Sequence, residues 1–191
     1  CIMGVFQNNL MGAAAAAGSA AAGGFYTHQI ANSVRTFEST NSKITRTPSS
    51  AGNMATWSIS IWMKRSKLGA SQFIFEAGAS GGYASRLFYS FVAGGGIEMS
   101  SGEVNYGTTT ELFRDVGAWY HIFIKNASNS NTLYVNGTLI KTTTLSGDTA
   151  VNSAVAHGLG CRYGGGTTSY EGYIAEFLLF DGTAYDPTDV A

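Results

Sequence analysis

Charged side chains are scarce in this chain: Asp, Glu, Lys and Arg make up 12% of its 191 residues. Ordinary soluble domains carry about 25%, so glycine, serine, threonine and asparagine supply much of the polarity here. The 11 basic residues are balanced by 12 acidic ones, and no basic stripe is present that could neutralise the phosphates of DNA or RNA. We therefore do not expect nucleic acid as a partner.

Cysteine, proline and long apolar runs are also rare. The two cysteines, Cys1 and Cys161, stand far apart with no second pair nearby, which favours unrelated thiols over a disulfide framework or a zinc site. No run reaches the roughly 18 to 20 apolar residues that a membrane-spanning helix needs, so the sequence predicts no membrane insertion. The two prolines, Pro48 and Pro187, fall at expected loops or boundaries.

The first 27 residues carry no charged side chain and are rich in alanine and glycine. A signal peptide is one interpretation, but Gln7, Asn8 and Asn9 occupy the zone where a signal peptide has basic residues. A helix is a second interpretation, but glycines interrupt the alanine runs, and each costs about 1 kcal/mol relative to alanine.

The third interpretation is an irregular or short-helical segment that becomes ordered by docking against another chain. We divide the protein accordingly into an uncharged N-terminal docking segment, residues 1–27, and a folded domain, residues 28–191. The apolar side chains that we expect to make the docking contacts are Phe6, Leu10 and Met11.

Beyond residue 30 the pattern of apolar residues has the period of two that is typical of β-strands. In the clearest run, Trp57, Ile59, Ile61 and Met63 alternate with more polar residues, which predicts a long strand with one buried face. Short predicted strands follow, separated by Gly, Ser and Asn, and this spacing favours antiparallel strands over βαβ units. They cover residues 71–76, 85–92, 96–100, 119–125, 131–135, 138–143, 156–163 and 170–180.

Two local motifs predict specific backbone geometry. Asn136-Gly137, between two apolar runs, supplies the two positive φ angles of a type I′ hairpin turn. Near the end of the sequence, Asp186 and Pro187 have the order of an N-cap and a first helical residue.

Three segments, in this order, resemble the concanavalin A-like lectin/glucanase superfamily in its laminin-G-like branch. The first is 57–64, the second runs from Trp119-Tyr120-His121 to 133–137, and the third is 172–177 closing on 180–184. The resemblance covers roughly residues 28–190. It implies an all-β fold, an antiparallel two-sheet jelly-roll sandwich, because in that family these segments are core strands, a hairpin and a return strand.

More narrowly, residues 7–12, 46–53 and 173–187 resemble structural proteins of tailed bacteriophages that carry this domain, such as tail fibres, adhesins and capsid decorations. The resemblance implies that the protein is part of a virion, and that its partners are other virion proteins and symmetry copies of itself.

Glycoside hydrolases of this superfamily carry a Glu-x-Asp-x-x-Glu motif on one strand. Glu171 and Glu176 have the matching spacing, but Tyr173 stands where the middle acid belongs. Because hydrolysis needs a matched pair of carboxyl groups, we expect no enzymatic activity. The histidines form no local catalytic cluster, and His121 is interpreted as packing on a strand face.

Many relatives bind Ca²⁺ at the rim of the sandwich, where the ion takes six to eight oxygen ligands. No cofactor is otherwise expected. The candidate acids in predicted loops are Glu103, Asp115 and Asp148, although solvated loop acids are the simpler interpretation.

A carbohydrate site would combine exposed aromatic faces with hydrogen-bonding side chains. Trp57, Trp62 and Trp119 are assigned to the core. The tyrosines in or beside Gly/Ser-rich loops that could stack on sugars are Tyr83, Tyr106, Tyr163 and Tyr170.

Two functions remain open. The first is a non-enzymatic phage virion structural protein that displays a lectin-like sandwich, docked by its N-terminal segment, with host-surface glycan as a further candidate partner. The second is a secreted carbohydrate-binding lectin that uses calcium. Association with particles separates them, since a free, glycan-binding monomer favours the second.

Overall fold

Two antiparallel sheets of six strands each make up the part of the chain that the structure describes. This computed structural model describes residues 30–38, 44–78, 86–102, 104–147, 149–162 and 169–190, within the compact unit Ile30–Val190. The predictions for the docking segment and for the boundary after residue 27 lie outside these residues. The strands are β1 Val34–Thr36, β2 Ile44–Arg46, β3 Thr56–Arg65, β4 Gln72–Ala77, β5 Leu87–Phe91, β6 Ile97–Ser101, β7 Val104–Thr108, β8 Tyr120–Ala127, β9 Ser130–Val135, β10 Thr138–Thr144, β11 His157–Leu159 and β12 Gly172–Asp181.

The chain passes repeatedly from one sheet to the other. Sheet A has the order β1-β12-β3-β8-β9-β10, and sheet B has the order β2-β11-β4-β5-β6-β7. Because β12 returns to pair with both β1 and β3, the end of the domain lies beside its beginning. This arrangement confirms the predicted all-β jelly-roll sandwich.

Strand β3 forms the centre of sheet A, as its alternating sequence predicts. Trp57, Ile59, Ile61 and Met63 are all 0% exposed. The neighbouring strand β8 is in a register that sets Ile59 opposite Ile124, so apolar side chains line one face of the sheet continuously. Each such side chain contributes about 1.5–3 kcal/mol by leaving water, so this strand contributes strongly to the stability of the core.

Sheet B supplies the other half of the core from its inner face. Phe75, Tyr89 and Phe91 are buried there. The Tyr89 hydroxyl donates a hydrogen bond to Asn131 Oδ1 on β9 and so links the two sheets. Burial raises the pKa of Tyr89, and a buried hydroxyl needs such a partner. The bond therefore gives the buried Tyr89 hydroxyl a hydrogen-bond partner, and it also fixes how the two sheets align.

The hairpin between β9 and β10 has the predicted turn. Asn136 and Gly137 have φ angles of 50° and 76°, as a type I′ turn requires. The Asn136 side chain also accepts a hydrogen bond from the backbone N–H of His121 at 2.8 Å, so it joins the turn to β8. The prediction for this dipeptide is confirmed.

Three short strands were not predicted from the sequence, namely β1, β2 and β7. All three are largely exposed, and β1, β2 and β7 each lie at the edge of a sheet. Exposed edge strands bury no consistent face and so lack the alternation by which a strand is recognised. The predicted strand 156–163 is shorter in the structure, where β11 spans His157–Leu159.

The chain ends in a short 3₁₀ helix, Pro187–Asp189, with Asp186 at its N-cap. The Asp186 backbone N–H donates to Asp189 Oδ2 at 2.8 Å, so the predicted helix start is confirmed. Within the described residues, no helix has the length and apolar character that crossing a bilayer requires.

Candidate functional site

The tyrosines predicted to stack on sugars are placed differently from one another. Tyr170 is 0% exposed and packs against Phe91 in the core, so its ring is not available to a surface ligand and the prediction for this residue is wrong. Tyr106 is half-buried, and its hydroxyl accepts a hydrogen bond from the Ser146 N–H at 3.0 Å. Tyr83 and Tyr163 lie outside the described residues.

The predicted calcium ligands do not assemble within the described residues. Asp115 is exposed, and its Oδ1 accepts a hydrogen bond from the Gly117 N–H at 2.8 Å, which stabilises its own turn. In the described ranges no three His, Cys, Asp or Glu side chains are grouped so as to hold a metal ion. Glu103 and Asp148 lie outside those ranges, so calcium binding through them stays a prediction.

The backbone changes its strand geometry between Glu171 and Glu176, the two glutamates whose spacing matches the hydrolase motif. Glu176 has a φ of 50° and lies in a β-bulge where the register of β12 against β3 shifts. Tyr173, in place of the middle acid, faces the outer side of sheet A, where the Arg35 guanidinium lies 5.6 Å from its ring centroid. The side chain at the middle position therefore packs against a cation and carries no carboxyl group.

A cleft of about 540 Å³ opens at the edge where the two sheets meet. Its volume falls in the range of about 300–1,000 Å³ that is usual for ligand pockets. Sheet B contributes residues from β2, β4 and β11, sheet A contributes the second half of β12, and the loop after β2 covers one side. The lining residues are Ile44, Thr45, Arg46, Pro48, Ser49, Ser50, Ala51, Gly52, Phe75, Asn152, His157, Gly158, Leu159, Phe177, Leu179 and Asp181.

Asp181 organises the polar rim of the cleft. Its Oδ1 accepts hydrogen bonds from the backbone N–H of Asn53 at 2.7 Å and from the Asn152 side-chain amide at 3.2 Å. The backbone N–H of Gly52 donates to the Asn152 carbonyl at 2.7 Å. A Cβ on Gly52 would lie 2.2 Å from Asp181 Oδ2, so glycine is required for the loop to approach the carboxylate this closely.

The floor of the cleft is aromatic. Phe177, from the β12 bulge, stacks on Phe75 with a centroid separation of 5.9 Å, and His157 lies 6.0 Å from Phe75. The bulge has a structural consequence here, because the extra residue turns Phe177 inward instead of outward. Phe75 is itself only 1% exposed, so the floor presents the half-buried ring of Phe177, packed on Phe75, below a polar rim.

His157 is held in its neutral form. Its Nε2 accepts a hydrogen bond from the Asn152 N–H at 3.1 Å, so Nδ1 carries the proton and donates to the Val155 carbonyl at 2.8 Å. Protonating Nε2 would set two N–H groups against each other. Burial, with a smaller contribution from the nearby Arg46 cation, lowers the pKa of His157.

Arg46 provides the positive charge of the cleft. It lies on the edge strand β2, in register with His157 on β11, and its side chain is exposed. Within the described part of the chain its guanidinium has no hydrogen bond and no ion pair. The cleft can therefore hold a ligand with an apolar face, hydroxyl groups and a negative charge, and Asp181 is the one carboxylate among the described lining residues.

Sequence reasoning missed this cleft, although it singled out residues 46–53, which form much of its wall, for another reason.

The sequence analysis also assigned all three tryptophans to the core, which is confirmed for Trp57 and wrong for the other two. Trp62 is half-buried and stacks on His121 at 4.8 Å on the outer side of sheet A, and Trp119 lies 6.5 Å from Tyr173 on that side. Alternation alone does not show which face of a half-covered strand a tryptophan occupies.

Comparisons with solved structures show the same architecture in proteins of low sequence identity. Domain 4 of AbnA, a GH43 extracellular arabinanase from Geobacillus stearothermophilus, was solved in complex with arabinotriose; it is 19% identical with a TM-score of 0.57, over 73% of this chain and 68% of that one. The CBM40 of the Ruminococcus gnavus IT-sialidase is 18% identical with a TM-score of 0.59, over 78% and 95%. The heptameric SAP-like pentraxin from Limulus polyphemus is 15% identical with a TM-score of 0.59, over 83% and 79%.

These similarities establish a fold shared with lectins and carbohydrate-binding modules. The chain spans only 22% of the length of Trypanosoma rangeli sialidase, to which it is also similar. A comparison with curated protein sequences finds no match. The family model described as the concanavalin A-like lectin/glucanases superfamily matches residues 38–191, and the chain therefore belongs to that superfamily, in its laminin-G-like branch.

Proposed function

We propose that the protein is a non-enzymatic structural component of a phage virion whose sandwich binds glycan in the cleft between the sheet edges, while residues 1–27 dock it to the particle. The observation that carries the proposal is the cleft itself, in which residues 46–53 and Asp181 come together. Both belong to the segments that resemble phage structural proteins, so the part of the chain with that resemblance lines a cleft of ligand-binding size.

The composition of the cleft supports a glycan ligand. Ligand sites combine apolar and aromatic walls with a few fixed polar groups. Here the half-buried Phe177, which stacks on the buried Phe75, supplies a ring face, and Asp181 supplies an acceptor that Asn53 and Asn152 hold in place. The arabinotriose complex of the AbnA domain supports the same ligand class for this fold.

The acidic residues support binding without catalysis. Glycoside hydrolysis uses two carboxyl groups on either side of the bond that breaks. Asp181 has no second carboxylate beside it among the described lining residues, and Tyr173 replaces the middle acid between Glu171 and Glu176. We therefore expect a glycan to leave the cleft unchanged.

Glycan binding can be tested on an array with purified wild-type protein and two matched variants. Asp181→Asn removes the rim charge, whereas Asp186→Asn removes the exposed carboxylate that pairs with Lys125 outside the cleft. We expect wild type and Asp186→Asn to bind the same glycans and Asp181→Asn to lose at least part of that binding. Release of shortened sugar, or equal binding by all three proteins, would contradict the assignment.

Docking is tested on assembled particles. Deleting residues 1–24 should leave a folded sandwich that no longer copurifies with the particle, and replacing Phe6, Leu10 and Met11 by serine should weaken retention. Replacing Ala13, Ala14 and Ala15 by serine is the matched control with little loss of apolar surface. Full retention of the deletion variant would refute the docking role.

The second candidate function is a secreted lectin, which the similarity to the AbnA domain solved with arabinotriose and to the CBM40 of the Ruminococcus gnavus IT-sialidase supports. Recovery of the chain as a free monomer that binds glycan, with binding lost on chelation of calcium, would establish it in place of the virion role. Retention on particles that is insensitive to chelators supports the first.

A further inference from the structure

We propose that the cleft selects a glycan that carries a carboxylate, a uronic acid or related acidic sugar, with Arg46 as the partner of that carboxylate and Asp181 as the acceptor for its hydroxyl groups. This inference rests on the proposed glycan binding. It goes further by assigning the charge of the ligand and the residue that recognises it.

Three other arginines of the chain have partners in the described structure, and Arg46 differs from them. Arg65 donates to the Phe113 carbonyl at 2.8 Å, Arg114 donates to the Gly94 carbonyl at 2.8 Å, and Arg86 forms a buried ion pair with Glu76. Arg46 lines the cleft, and its guanidinium has no such partner among the described residues. Its five N–H donors are therefore available to a ligand.

Arg46 and Asp181 line the same cleft without pairing, since no ion pair joins them in the described structure. Asp181 Oδ1 is held by two N–H donors from Asn53 and Asn152, which keep the carboxylate on its own side. The two opposite charges consequently stand apart, and a ligand that lies between them needs a negative group at one end and hydroxyl donors at the other.

Among the described lining residues, Arg46 alone supplies a cation for recognition. His157, the other basic side chain of the cleft, has both ring nitrogens in use by Asn152 and Val155 and is neutral. The planar guanidinium fork matches a carboxylate with two parallel hydrogen bonds, whereas a neutral sugar in the same place would leave its charge unmatched. Phe177 on the floor provides a ring for the C–H face of the sugar.

The test compares sugars that differ only in the carboxylate. Binding of trigalacturonate and of α-1,4-galactotriose, and of a β-1,4-glucuronan trimer and of cellotriose, is measured by calorimetry for wild type, Arg46→Gln, Arg46→Lys and Arg35→Gln. Arg35 packs on Phe37 and Tyr173 outside the cleft and is the matched control. Circular dichroism confirms that each variant is folded.

We expect wild type to bind an acidic trimer about tenfold or more tightly than its neutral counterpart, because a charged hydrogen bond discriminates at about that level. Arg46→Gln should remove that preference, Arg46→Lys should restore part of it, and Arg35→Gln should keep it. Equal binding of acidic and neutral trimers, or a preference unchanged in Arg46→Gln, overturns the inference and leaves glycan binding standing. Binding of no trimer, together with a blank array, overturns both.

Discussion

The backbone N–H of Asn53 donates a 2.7 Å hydrogen bond to Oδ1 of Asp181, 128 residues further along the chain. This bond joins the loop before β3 to the end of β12, which pair directly in sheet A. Asn53 also uses its own side-chain oxygen to accept from the N–H groups of Ala55 and Thr56 at 3.0 and 2.8 Å. The end of the loop next to β3 is thus fixed at the rim of the cleft.

The close approach of Gly52 to Asp181 gives a double-mutant prediction. Gly52→Ala should destabilise the domain by about 1–3 kcal/mol, because its Cβ would lie 2.2 Å from Asp181 Oδ2 and the loop must move. Asp181→Ala should cost about 1.5–3 kcal/mol through its lost charged hydrogen bonds. Free energies of unfolding from urea titration measure both.

The combined variant, Gly52→Ala with Asp181→Ala, isolates the steric contact. The φ of Gly52 lies outside the left-handed region, so alanine is conformationally acceptable there and the added methyl group should cost almost nothing once the carboxylate is gone. Simple addition of the two single-variant costs would show that the clash is not the cause.

The buried ion pair between Glu76 and Arg86 gives a second prediction. Their side chains are 2% and 8% exposed, and Arg86 packs over the ring of Phe88 at 4.8 Å. Glu76→Gln should cost about 3–5 kcal/mol, because it removes the negative charge that Glu76 sets beside a buried cation. The exposed Glu111 is the control, and Glu111→Gln should change stability by less than about 0.5 kcal/mol.

A double variant separates the cost of an unmatched charge from the value of the pair. Glu76→Leu with Arg86→Leu should recover much of the lost stability, since a buried pair is often no better than apolar residues of similar size. If Glu76→Gln and Glu111→Gln unfold at the same urea concentration, the pair has no structural role.

The fold was predictable because its central strands carry local information. The alternation of Trp57, Ile59 and Ile61 identifies β3, and the Asn136-Gly137 dipeptide identifies a hairpin, since period and turn chemistry are read within a few residues. Both features are decided by local sterics and by burial of a single face.

The cleft was not predictable in the same way, because its contacts are non-local. Asp181 and Asn53 are brought together by the pairing of β12 with β3, and no spacing along the chain encodes that contact. Phe177 faces the cleft only because a bulge changes the alternation of β12. Tyr170 was misassigned for a related reason. Its position beside a glycine-rich loop suggested exposure, but its side chain lies in the core.

The hairpin turn gives a third prediction. Gly137→Ala should destabilise the domain by about 1–2 kcal/mol, because Gly137 has a φ of 76° and a Cβ meets the carbonyl oxygen in that conformation. Gly94 has open space around its Cβ position and an ordinary φ, so Gly94→Ala should be neutral or stabilising by up to about 1 kcal/mol. Equal losses in thermal unfolding experiments would rule out turn strain as the cause.

Two buried histidines predict that the domain loses stability in mild acid. Burial lowers the pKa of His121 to about 4 and lowers that of His157 as well, against about 6.5 in an unfolded chain. As the pH falls below about 6.5 the unfolded chain takes up protons that the folded domain does not, so the free energy of unfolding decreases until the folded pKa is passed. For His121 the loss should reach roughly 2 kcal/mol at pH 5.

Urea titrations at pH 7.5, 6.5, 5.5 and 5.0 measure this slope above the range in which most carboxylates titrate. His121→Gln removes one titrating group and retains an amide that can reach Ser60 Oγ, which lies 2.7 Å from His121 Nε2. The His121→Gln variant should be less stable than wild type at pH 7.5 and should lose less stability than wild type between pH 6.5 and 5.0.

His157→Gln should reduce the pH dependence of stability in the same way, and the two effects should add because the residues lie on different sheets. Parallel pH profiles for wild type and both variants would mean that these imidazoles take up protons as readily in the folded domain as in the unfolded chain.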